Sequence, residues 1–173
     1  MELRNISIED FITIFGKEGY DMLIPHDVHV LVVEEGMVPV FDAAGYEACV
    51  TGYDFEDGKG PVVALIINPT KIVSTLNMLE QADAGRRQRA LQSFLVHERT
   101  HLIQHEEGRL TGTATQLFWE GEEVNLSADL TSYAATPWEV EAYAAQIAFI
   151  KGISIEEATA LHLENIANNF QAA

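Results

Sequence analysis

Phe94-Leu95-Val96-His97-Glu98-Arg99-Thr100-His101-Leu102-Ile103-Gln104-His105 carries the pattern HExxH inside a longer run of helical spacing. That run predicts a helix over about residues 84–107, with Gly108 placed as its stop and Asp83 as a possible cap. Leu91, Phe94, Leu95, Val96, Leu102 and Ile103 spread over most of its circumference, the mark of a helix buried within a domain. Four residues advance a helix by little more than one turn, so the imidazoles of His97 and His101 leave from one face and can share one ion.

Upstream of this helix the pattern is β-branched. The segments VHVLVVEE, MVPVF, YEACVTGY and PVVALIIN, separated by EEG, DAAG and FEDGKG, predict a sheet of about four strands. Before them, residues 6–23 read as a helix capped by Ser7 and ending near Gly16 or Gly19. Helical spacing resumes briefly through Ile72, Thr75, Leu76 and Leu79. Downstream, TATQLFWEGEEVNL reads as a short hairpin or loop and residues 126–135 as irregular connection. Thr136-Pro137 starts a further helix that stops at Lys151-Gly152. Ser154 and Glu157 form a capping box for a last helix to about Asn168. Strands followed by helices give an α+β fold, a small mixed sheet of about four strands packed on the HExxH helix, in one domain over residues 1–173.

Two neutral imidazoles at this spacing suit Zn²⁺, which binds such nitrogens at about 2.0–2.1 Å. Glu98, next to the first histidine, points beside the ion, where its carboxylate serves as general base toward a water made acidic by the metal. Histidines four apart also occur as ordinary core or surface residues, and Glu98 has Arg99 nearby. On a helix flanked by FLV and LI, however, unpaired polar groups are costly.

A catalytic zinc site takes three protein ligands, so a third lies elsewhere. The extended HExxHxxGxxH pattern is absent, since Gln104 stands where it needs glycine, and His105, a turn further along the same straight helix, is awkwardly placed to reach the ion. The better source is the start of the Pro137 helix, with Glu139 and Glu141. Glu139 has a structural alternative, since Thr136-x-x-Glu139 satisfies the capping-box pattern. Glu141 shares a stripe with Ala144, Ala145 and Ala148. Tyr133 is a candidate donor to a developing oxyanion, Trp119 and Trp138 are core or site-wall residues, and Asp129 is an orienter or a turn former.

HExxH followed by a separate helix with E-x-x-A resembles the zincin metallopeptidases of the gluzincin type. HExxHxxQ with a later P-x-E-x-E-A segment is also similar to small bacterial and phage zincins. The resemblance runs from the sheet to about Lys151. It implies a zincin-like fold, hydrolysis of peptide bonds in a peptide or protein substrate, and Glu139, followed by Ala142, as the third zinc ligand in preference to Glu141. Tyr143 departs from the pattern, standing where many relatives have Asp or Asn. The strand PVVALIIN is expected to flank the cleft and offer its edge to an extended peptide. The rival reading is a zinc-binding, catalytically silent interaction module of phage association.

Composition narrows the partners. Twenty-seven acidic residues against ten basic ones give a net charge of −17, which repels phosphate backbones and anionic lipid, so neither nucleic acid nor membrane is expected. One cysteine, Cys49, excludes an intramolecular disulfide. With no leader-like pattern at MELRNISIED and no apolar run of spanning length, a cytoplasmic protein is expected.

Overall fold

The computed structural model describes residues 1–33, 48–54, 61–68, 70–72, 84–113, 116–124 and 130–171. Ser7 accepts a 3.0 Å hydrogen bond from the Asp10 backbone N–H and so caps helix α1 (Ile8–Leu23). The helix does not end at Gly16 or Gly19. It breaks at Gly16, whose φ is +76°, a conformation glycine adopts without steric cost, and then resumes to Leu23. Gly19 is a contact point, for a Cβ there would stand 2.9 Å from Leu95 Cδ1. Its bare backbone lets α1 lie close to helix α2 (Ala84–Glu106), the helix that carries HExxH.

Four strands, β1 (Glu2–Arg4), β2 (His29–Val32), β3 (Ala48–Asp54) and β4 (Pro61–Ile67), form a sheet in the order β1-β2-β4-β3. The first three in that order run parallel, while β3 is antiparallel to β4, with Val50 opposite Leu65. The fold is thus mixed α+β with a small four-stranded sheet, but its membership differs from the expected one. A three-residue β1 is too short to show strand periodicity and is held by non-local pairing to β2. The expected strand MVPVF lies outside the described residues, as do Asp83, Asp129 and most of the helical spacing expected after Ile72. PVVALIIN also changes place. As β4 it lies between β2 and β3, so the outer strands among the described residues are β1 and β3.

Successive residues of β2 and β4 point to opposite faces, and both faces are apolar, as in strands covered on two sides. Val30, Leu65 and Ile67 meet Phe11, Phe15 and Leu23 of α1 and Leu95 and Leu102 of α2. Leu31, Val33, Ala64 and Ile66 form a second cluster with Cys49. Burial of leucines such as Leu95 and Leu102 is worth roughly 1.5–3 kcal/mol each, which pins the HExxH helix to the sheet.

Helix α2 ends at Gly108, with φ of +70°, where Arg109 N–H returns to the Gln104 carbonyl at 2.9 Å. A meander of β5 (Leu110–Thr113), β6 (Gln116–Trp119) and β7 (Glu122–Glu123) follows, more regular than the hairpin or loop expected. Part of the segment expected to be irregular is a short helix, α3 (Leu130–Ala134). Helix α4 (Pro137–Lys151) packs along α2 and against α5 (Ile155–Gln171), whose Ser154–Glu157 capping box forms in both directions. No described helix is long and apolar enough to cross a membrane.

Candidate metal centre

The i, i+4 spacing on α2 brings the His97 and His101 Nε2 atoms to 3.2 Å from each other. Helix α4 supplies the third side chain. Glu139 Oε2 lies 3.3 Å from His97 Nε2, and Oε1 lies 3.3 Å from His101 Nε2. Glu139 is only 3% exposed, and its ion pairs among the described residues are both with these imidazoles. The capping alternative for Glu139 does not form, because Thr136 Oγ1 instead donates to the Tyr133 carbonyl at 2.7 Å. Freed from the helix end, the carboxylate turns inward.

Glu141, two residues along, turns elsewhere. It accepts from Arg109 Nη1 at 2.8 and 3.0 Å and from Gln104 Nε2 at 3.0 Å. The two carboxylates weighed for one role therefore stand on different faces of α4. Burial opposes the charge of Glu141, but Arg109 and then Gln104 outweigh it and hold its pKa below the usual value.

Glu98 is 6% exposed, and its pKa is raised chiefly by burial and secondarily by the Glu139 charge, against the opposing pull of both histidines and of the Val50 backbone N–H. Its Oε2 has no hydrogen-bond partner among the described residues. Burial pulls His101 down, yet its hydrogen bond to Glu139, the charges of Glu139 and Glu98, and Gln104 lift it to about 9. Glu139 is held far below the carboxylate range, its burial overcome by His101 and His97. These opposed shifts describe a negative cluster that favours a cation, whether a proton or a metal.

The donor set fits zinc. Tetrahedral bonds of about 2.0–2.1 Å place ligand atoms roughly 3.3–3.4 Å apart. Here the two Nε2 atoms stand 3.2 Å apart, and each has one oxygen of Glu139 at 3.3 Å, Oε2 beside His97 and Oε1 beside His101. Two imidazole nitrogens and a carboxylate oxygen are donors this ion accepts, and among the described residues this is the one group of three or more His, Cys, Asp or Glu arranged to hold a metal.

His105 lies outside the cluster, half-buried, with its pKa lowered to about 4 by burial and by His101. The Tyr133 ring packs edge-on against Trp138 at 6.3 Å, and Trp119 lies 5.8 Å from Trp138. Tyr143 sets its ring 4.6 Å from that of His97. His26, which has no metal-like spacing, instead bridges Arg99 and Glu106 at 3.0–3.1 Å. Sequence reasoning gave no role to Val50, whose contact with Glu98 crosses from sheet to helix, nor to Gln104, whose place three residues after His101 is the only local signal. Cys49 lies close enough for the Glu98 charge to add to burial in raising its thiol pKa. Neither a family model nor a curated protein or solved structure matches this chain, so its chemistry is read from the side chains themselves.

Proposed function

We propose that this chain is a zinc-dependent metallopeptidase of zincin-like fold, with His97, His101 and Glu139 holding the ion and Glu98 acting as general base. The observation that carries the reading is a pair of Nε2 atoms 3.2 Å apart, each 3.3 Å from an oxygen of the same buried Glu139 carboxylate, with the buried Glu98 carboxylate on the same helix. A zinc ion held there supplies a Lewis acid and brings a water it binds to a pKa of about 7.

The rest belongs to the protein. The Val50 N–H fastens the Glu98 carboxylate, and Oε2, without a partner among the described residues, is the atom placed to take a proton. Burial raises the proton affinity of that carboxylate, which favours its taking a proton and holding it until it is given back. A proton taken at Oε2 is then available to the departing amine nitrogen. The substrate is a peptide or protein. Because Val50 belongs to β3, an outer strand among the described residues, an extended chain paired along that strand would run close to Glu98.

Glu98→Gln tests the assignment. The variant keeps the size of the side chain, so zinc content and fold should persist while hydrolysis of an unstructured protein such as casein falls about 10²–10⁴-fold. Unchanged turnover would remove Glu98 as base. Full zinc occupancy in the wild type with no cleavage of any peptide tried would favour the catalytically silent module instead.

A further inference from the structure

Gln104 is fully buried, one turn beyond His101 on α2, and all its polar atoms are used. Its Nε2 donates to the Trp138 carbonyl at 3.1 Å and to Glu141 Oε2 at 3.0 Å. Both partners are acceptors only, so the amide has one permitted orientation; turned over, it would set its oxygen against two others. Oε1 must therefore face His101 Nδ1, 2.9 Å away. An amide oxygen accepts and cannot donate, so Nδ1 carries the hydrogen. In the neutral ring Nε2 is then left bare, pointing at His97 Nε2 and Glu139.

On the zinc reading above, we propose that Gln104 is a positioning residue that selects the metal-binding tautomer of His101, its own amide being oriented by the Trp138 carbonyl and by the Arg109–Glu141 pair. Arg109 reaches Glu141 at 2.8 Å from beyond the end of α2, so the chain that orients one ring nitrogen starts at the surface. The arrangement joins α2 to α4 by the same bonds that aim the imidazole.

The test is zinc affinity measured by chelator competition, with thermal melts of the metal-free proteins beside it. Gln104→Leu should weaken zinc binding about 10–100-fold, the usual effect of removing the partner of a ligating histidine. Gln104→Met, which keeps the length of the side chain but offers Nδ1 no oxygen, should lose about as much. A folded Gln104→Leu protein that binds zinc as tightly as the wild type overturns the proposal and leaves the zinc site standing. A Gln104→Met protein that binds zinc as tightly as the wild type also overturns it, in favour of a packing role. If neither variant folds, the zinc-loaded wild type still decides. Its ¹⁵N-histidine spectrum should show a slowly exchanging His101 Nδ1–H, and a rapidly exchanging one sinks the assignment. Wild-type protein that binds no zinc at all overturns the functional reading itself.

Discussion

His97 and His101 sit one helical turn apart and face the same carboxylate, yet they are held by different physics. His101 Nδ1 has an amide oxygen at 2.9 Å, and that amide is itself fixed by two further bonds. His97 Nδ1 is buried with no hydrogen-bond partner among the described residues. Its ring is instead set edge-on to Tyr143 at 4.6 Å, and Tyr143 stacks on His162 at 4.7 Å and 18°. His162 Nε2 in turn donates to the Ala134 carbonyl at 2.9 Å. A hydrogen bond chooses a tautomer; ring packing limits only the tilt. One imidazole is thus oriented chemically and the other sterically.

The contrast can be broken most completely at the residue the two histidines share. Glu139→Ala removes the third donor and the charge that holds both rings, so metal analysis of protein purified without chelators should fall from near stoichiometric zinc to background. Next in size is the difference between His101→Ala and His97→Ala. Each should abolish tight zinc binding, but without metal the His101 variant should be less stable than the His97 variant by about 1–3 kcal/mol in chemical denaturation, because it strands the buried Gln104 oxygen. Equal losses would show that the two shells do not differ in energy.

Protons sharpen the comparison further. Glu139 lifts His101 from 6.5 to about 9, so the stabilisation of the metal-free protein by that pair is complete below 6.5 and disappears as pH rises through about 9. Zinc has to displace the same proton, so its apparent affinity should climb about tenfold per pH unit toward 9 and then level. A flat profile between pH 6 and about 8 would place the proton elsewhere. Tyr143→Ala, which removes packing without touching a hydrogen bond to His97, should weaken zinc only by roughly three- to tenfold. Arg109→Met, at the far end of the Gln104 chain, should cost the least, about two- to threefold.

Much of this was legible in local spacing. HExxH on a helix follows from a 3.6-residue period and needs no tertiary contact. The stops at Gly108 and Gly152 and the caps at Ser7 and Ser154 are also short-range chemistry. What spacing missed is non-local or depends on a rival contact. β1 exists through pairing with β2; α1 outlasts Gly16 because Phe15, Gly19 and Leu23 are buried against the sheet and α2. The strand thought to offer its edge is enclosed by two neighbours, an order no periodicity encodes.

The primary structure alone determined which residue types could meet a metal on one helix, because four residues of α-helix carry two side chains to the same side whatever surrounds them. Only the tertiary structure decided which carboxylate of α4 joins them. Glu139 and Glu141 are two residues apart, about 200° around a helix. The packing of α4 on α2 turns one toward the imidazoles and leaves the other to Arg109 and Gln104.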